Sequence, residues 1–211
     1  MIISLNPDSR EHVEAAVKLH KELLHDSPIV LLGDFFMKKF YYTSLVKDEL
    51  FLCDLFYFNG KYVGFISYTK DPLHFMQKGL KKNFIRLFFV LLISIIRKPA
   101  IVKTILKTVQ EMSQRESSTY RQDQISFGEV LSIGVAKDNL PVVDKKSGKR
   151  IPNLLFDRAI EYFRKQTIKR YRLSVTKDNK AALLFYLSYG GKIIDNQCAG
   201  GKSYQLEFSI G

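Results

Sequence analysis

The side chains able to do chemistry gather in three segments beyond residue 127. Glu129 opens an apolar run at 128–136, GEVLSIGVA. A polar, basic loop over 137–150 carries Lys145, Lys146, Lys149 and Arg150 and leads into SGKRIPNLLFDRAIEYF. The third segment, TKDNKAALLFYLSYGGKII, sets Tyr186 seven residues beyond Asn179. A carboxyl group and a phenol are the material of general acid–base work. Clustered cations suit an anionic ligand. Asp71 and His74, at the end of an expected hairpin, are a second acid–base pair. No Cys-x-x-Cys and no Cys/His cluster at ligand spacing occurs, so no metal is expected.

A scaffold must carry these segments. IISLN reads as a short strand, and Asp8 or Ser9 caps a helix behind it. Val13, Ala16, Val17, Leu19, His20, Leu23 and Leu24 recur at helical spacing, and Ser27-Pro28 breaks the pattern. A second helix starts near Gly33-Asp34. ELFLCDLFYF and KYVGFISYT, joined by Asn59-Gly60, read as an antiparallel hairpin over 50–69. Residues 73 to about 116 read as helical, broken at Pro99, and 113–119 as a polar loop. The GEVLSIGVA strand and the basic loop precede a helix with Pro152 at its start. Leu154, Leu155, Ala159, Ile160 and Phe163 form that helix's apolar stripe. YRLSV is a strand. Asn179 caps a short helix closed by Gly190-Gly191, and KIID and SYQLEFSI are the last strands. The order β-α-α-β-β-(helical insert)-β-α-β-α-β-β describes an α/β fold, a mixed twisted sheet flanked by helices. The helical insertion, 73–116, falls between the third and fourth strands of one domain over 1–211. Alternation in the second half predicts partly parallel pairing through right-handed crossovers.

Composition bounds the partners. A chain of 211 residues buries a core without disulfides or a structural metal. Lys and Arg (33) exceed Asp and Glu (21), a net charge of +12, which favours a phosphate-bearing cofactor, a nucleotide-linked substrate, an acidic carrier protein or a membrane surface. The charge is spread along the chain and no nucleic-acid reader motif is present, so nucleic acid is not expected. Cys53 sits in an apolar run and reads as core, and Cys198 is too distant in sequence for a disulfide framework. The opening MIISLNPDSR lacks a signal-peptide layout, which makes the cytoplasm the expected location. The apolar run at 84–96 is shorter than the roughly 20 residues a bilayer span needs. Flanked by Lys81, Lys82, Arg97 and Lys98, it reads first as a buried helix and second as one seated in a membrane interface. Nothing sets the oligomeric state.

Asn179, Ala182, Phe185-Tyr186 and Gly190 stand at the spacing of a pattern in the Gcn5-related N-acetyltransferases (GNAT), Asn-x-x-Ala, aromatic-Tyr, Gly. The segment resembles that family, with Gly191 where the family usually has Phe. The order of elements agrees over the whole chain. The front half, with LLGDFFMKKFYY, NGKYVGFISYTKDP and the apolar insert, resembles a subgroup found among polysaccharide-biosynthesis genes.

The resemblance implies a GNAT-like sheet and N-acyltransfer, with an acetyl or other acyl group moving from acetyl-CoA to a primary amine. The subgroup implies an amino sugar as acceptor. Tyr186 would protonate the leaving thiolate, and Glu129 would be the general base, with Asp71 and His74 as alternatives. The backbone of Ile133, Gly134 and Val135 would pair with the pantetheine arm. Gly148, Lys149, Arg150, Ile151 and Asn153 would form the phosphate loop and helix start, and Asn179, Ala182 and Phe185 would complete the cofactor site. The family loop usually carries two small residues where this chain has Arg150 and Pro152, and Pro152 also removes an N–H donor. Lys145, Lys146, Lys149 and Arg150 would then hold phosphate by side-chain charge. Alternatively coenzyme A binding is weakened or lost, or the loop receives the phosphopantetheine of an acyl carrier protein. A non-catalytic protein and a peripheral membrane enzyme acting on a lipid-linked amine are the remaining readings. Phe35, Phe36, Tyr41, Tyr42 and Phe75 are the aromatic candidates for the acceptor pocket, with a packed core as the alternative for each.

Overall fold

The computed structural model describes residues 1–83, 127–197 and 201–211, with the backbone alone at Asn196 and Gln197. The apolar run at 84–96, expected as a buried or an interfacial helix, the break at Pro99, the polar loop at 113–119 and Cys198 lie outside the described residues.

Among the described residues seven strands form one sheet: β1 (Ile2–Ser4), β2 (Leu52–Phe58), β3 (Lys61–Thr69), β4 (Gly128–Val135), β5 (Arg170–Thr176), β6 (Lys192–Gln197) and β7 (Ser203–Ser209). Their order is β1-β2-β3-β4-β5-β7-β6. The expected parallel pairing is confined to β4 and β5; every other pair is antiparallel. The β2–β3 hairpin turns through Asn59 and Gly60 at φ of 48° and 80°, the left-handed pair that a two-residue hairpin turn requires.

Helices cover both faces. On one lies α1 (Arg10–Leu23), whose start is fixed by Ser9 Oγ accepting the His12 N–H at 3.3 Å. The helix stops at Leu23, ahead of the expected break at Ser27-Pro28, and Pro28 opens a four-residue helix, α2 (Pro28–Leu31). A proline can occupy a first turn because its missing N–H would be unbonded there. The second helix is not a regular α-helix. One turn, α3 (Asp34–Phe36), passes into a π-helix over Met37–Leu45. The wider winding buries Tyr41 and Tyr42, neighbours in sequence, together. This layer packs Ala16, Val17, Met37, Phe40 and Leu45 on Leu55 and Phe65 of the sheet.

The opposite face carries α5 (Ile151–Lys165). Ile151, Leu155, Phe156, Ala159 and Phe163 are all fully buried along one stripe and pack on Ile66, Tyr171, Leu206 and Phe208. Each buried Phe or Leu contributes about 2 kcal/mol by transfer from water. The short α6 (Lys180–Ser188) lies beside α5 on this core. Between β3 and β4, α4 (Phe75–Lys82) is the described part of the helical insertion. It is not continuous from 73 as expected. Asn83 leaves the helix at φ −112°, its side chain donating to the Gly79 carbonyl and to Asp48, a local bond that competes with helix propagation.

Candidate active site

The site is built on a parting of two strands. β4 keeps its antiparallel pairing with β3 out to Val135 opposite Gly64. Its pairing with β5 stops after Gly128–Tyr171 and Glu129–Arg172, while β5 continues along β7 to Thr176 opposite Ser203. The facing edges of β4 and β5 beyond that point are therefore unpaired with each other. Backbone groups in such a slot need partners, and an extended ligand arm can supply them. Ile133, Gly134 and Val135 form one lip. A bulge re-aims it: Ser67 opposes Ser132 and Tyr68 opposes Val130, which leaves Leu131 extra.

Asn179 Oδ1 accepts the Ala182 N–H at 3.1 Å and so starts α6. This is the physical content of the Asn-x-x-Ala spacing. Gly190 ends the helix at φ +83°. Tyr186 sits 6% exposed against Phe156 and Phe185, ring centroids 5.6 and 5.4 Å apart. Burial pushes its phenol above the ordinary value, so it is fully protonated near neutrality and able to donate. The missing family aromatic at 191 also has an explanation. A Cβ on Gly191 would stand 2.7 Å from Phe208 and 2.9 Å from the Tyr186 carbonyl. Phe208 of β7 fills that space from another element.

Glu129 is half-buried on β4, opposite Thr69 on one side and Arg172 on the other. Its charge reaches Tyr41 of the π-helix, whose phenol is raised first by burial, then by Cys53 and least by Glu129. Asp71 is a weaker candidate base. Partial burial opposes its charge, but hydrogen bonds from Lys78 and His74 outweigh that and hold its carboxyl below the ordinary value.

The basic loop is ordered around Asp144, whose side chain accepts from the Ser147 N–H and hydroxyl at 2.9 and 2.8 Å. Val143 bridges Arg150, and Gly148 turns at φ +66°. Arg150 is the cap of α5. The backbone donors expected there are reduced: the Ile151 N–H is bonded to the Val142 carbonyl at 3.3 Å and Pro152 has none, which leaves the Asn153 N–H. Lys149 is drawn back to Asp157 at 2.7 Å. Lys145, Lys146 and Arg150 remain as exposed cations. Three of these observations fit coenzyme A: the open slot, the Asn153 donor and a cationic rim. Anion binding there depends on side-chain charge more than on backbone.

Sequence reasoning missed two supports. Asp157 accepts from Lys149 and from the Tyr189 hydroxyl at 3.2 Å, and Tyr189 in turn accepts from Asn153 at 2.9 Å. This ties the start of α5 to the end of α6. Buried Arg172 donates to Glu207 at 2.8 Å and lies 4.4 Å from the Phe127 ring centre. An Arg inside the apolar strand YRLSV was the available signal. Of the aromatic residues read as acceptor-pocket lining or core, Phe36, Tyr41 and Tyr42 are core, at 3%, 2% and 0% exposure. Among the described residues no three His, Cys, Asp or Glu side chains group to hold a metal. Among the same residues no helix is long and apolar enough to cross a membrane.

No family model and no curated protein matches the sequence. The structure does have neighbours over its full length. A GNAT-family acetyltransferase from Streptococcus pneumoniae is 17% identical with a TM-score of 0.54, covering 100% of this chain and 99% of that one. PaiA N-acetyltransferase from Thermoplasma acidophilum, solved in complex with coenzyme A, is 14% identical with a TM-score of 0.55 and the same coverage. A probable acetyltransferase from Staphylococcus epidermidis is 12% identical at a TM-score of 0.57, again covering 100% and 99%. The fold is that of the Gcn5-related N-acetyltransferases. These likenesses show the fold and not the polysaccharide-biosynthesis subgroup.

Proposed function

We propose that this chain is an N-acyltransferase that moves an acetyl or other acyl group from coenzyme A to a primary amine. The observation that carries the reading is the slot between β4 and β5, opening at Glu129 and Arg172, with Tyr186 delivered by a helix capped at Asn179. The whole-chain likeness to acetyltransferases, one of them solved with coenzyme A, supports the same donor.

The thioester supplies an activated acyl group. Ile133, Gly134 and Val135 offer backbone groups to the extended arm, and one N–H there can polarise the carbonyl. Lys145, Lys146, Arg150 and the Asn153 N–H hold phosphate. Asn179 and Ala182 set the helix start, and Phe185 packs behind Tyr186. Glu129 takes the proton from the attacking amine as the C–N bond forms. Tyr186 returns a proton to sulfur as the C–S bond breaks. A primary amine is the acceptor class, and the front-half resemblance together with the +12 charge makes amino sugars the first panel to try.

The test is calorimetric titration of acetyl-CoA at moderate salt, with ATP as a polyanion control, followed by an amine screen. Micromolar binding that ATP does not mimic supports the reading. Absent binding of acetyl-CoA, with transfer from an acyl carrier protein instead, would replace the donor. Absence of both would leave a fold without the chemistry.

A further inference from the structure

Asp54 stands in the apolar run of β2 and is 1% exposed. A carboxylate there costs several kcal/mol unless it is partnered. Ser4 Oγ donates to its Oδ1 at 2.6 Å and the Tyr68 hydroxyl to its Oδ2 at 2.6 Å. Arg158 Nε reaches Oδ2 at 3.4 Å. These bonds tie β1, β2, β3 and α5 together and, among the described residues, give Oδ2 two donors and Oδ1 one. They do not explain what lies next to it.

A cavity of about 160 Å³ opens beside the carboxylate. Arg158, Tyr162 and Lys165 line one wall, at the i, i+4 and i+7 positions that share one face of a helix. Among the described residues Arg158 makes two long contacts, 3.4 Å to Asp54 and 3.5 Å to Ser4, and its side chain is 39% exposed. Lys165 has no ion-pair partner among the described residues. Leu5, Val46 and Leu52 supply apolar lining. The space is well below the roughly 300 Å³ of a site for a drug-sized ligand or nucleotide. A carboxylate floor faces two under-used cations across a few-carbon apolar patch. A ligand of one charge sign would meet a like charge; a zwitterion meets both.

We propose that this cavity binds a small aliphatic α-amino acid. Its ammonium faces Asp54, its carboxylate faces Arg158 and Lys165, and its side chain rests on Leu5, Val46 and Leu52. The site is separate from the acyl-transfer slot. None of its residues belongs to that slot, and Arg158 and Lys165 lie about 10 and 21 Å along α5 from Ile151. It stands whether or not the chain transfers acyl groups, and in an active enzyme it would be an effector site.

The experiment is calorimetric titration of the intact protein at neutral pH with L-valine, L-alanine, isobutyrate and isobutylamine. Valine or alanine should bind, and each singly charged analogue should bind about tenfold more weakly or worse. Lys165→Ala, at an exposed position, should weaken amino-acid binding by about tenfold with the fold retained, and Arg158→Lys, which keeps a cation beside Asp54 but loses the guanidinium fork, should weaken it severalfold. Asp54→Asn tests the ammonium partner, and if that variant does not fold the two α5 variants decide. Three results would overturn the proposal: no heat from valine or alanine up to about 10 mM, isobutyrate binding as well as valine, or unchanged affinity in both α5 variants. None of these readouts depends on catalysis.

Discussion

Glu129 and Arg172 face each other on the last rung that joins β4 to β5. One residue further along, the strands no longer share hydrogen bonds. The candidate base therefore sits at the vertex of the slot, where backbone is still rigidly paired and the ligand's space begins. Arg172 is itself pinned by Glu207 of β7, so the vertex is braced from the other half of the sheet.

Tyr186→Phe should lower turnover at saturating substrates by about a hundredfold while coenzyme A affinity stays within a factor of a few. Steady-state kinetics and calorimetry on the same preparation check this. Unchanged turnover would remove the phenol from the proton transfer.

Glu129→Gln should cut kcat/KM by about a hundredfold and flatten the acidic limb of its pH profile, since the carboxylate would no longer need to be ionised to accept a proton. A profile of wild-type shape in this variant would assign the base elsewhere, with Asp71 or a relayed water next in line.

Gly191→Ala should destabilise the fold by about 1–3 kcal/mol, because the new methyl has Phe208 and the Tyr186 carbonyl closer than 3.0 Å. Chemical denaturation measures it. The paired variant Gly191→Ala with Phe208→Leu should recover part of the loss if the clash with the ring is the cause.

His20 predicts a pH dependence of stability. Its ring is fully buried among Tyr41, Tyr42 and Phe65, bonded to the Tyr42 hydroxyl at 2.6 Å and Ser27 at 3.1 Å. Burial lowers its folded pKa from 6.5 to about 4. The unfolded chain thus binds a proton that the folded one refuses between those values. Its contribution is fully present above pH 6.5 and falls as the pH drops towards 4, by up to about 3 kcal/mol. Denaturation midpoints at pH 7, 5.5 and 4.5 should decline, and the decline should be shallower in His20→Gln.

Much of the fold was legible because its signals are local. Alternation and Asn59-Gly60 located the hairpin, and Asn179 with Gly190 bounded α6. The π-helix was not, because its extra-wide turns leave no distinct hydrophobic period. The slot was only half legible. Residue spacing identified the elements, but the parting of β4 from β5 depends on pairing between segments some forty residues apart. Asp54 was passed over as one polar letter in an apolar run, although a charge inside ELFLCDLFYF demands partners from elsewhere in the chain. The tie from Asn153 through Tyr189 to Asp157 joins two helices and left no mark in either alone.

The position of β7 between β5 and β6 sets a timetable for the growing polypeptide. β5 and β6 are both synthesised before the strand that separates them, and among the described residues β6 pairs with β7 alone. Until residues 203–209 emerge, β5 has a bare edge where β7 will sit and β6 has no sheet to join. Such waiting edges are where nascent chains aggregate or engage chaperones. The outer part of this sheet therefore cannot close before residues 203–209 are available to pair with both β5 and β6.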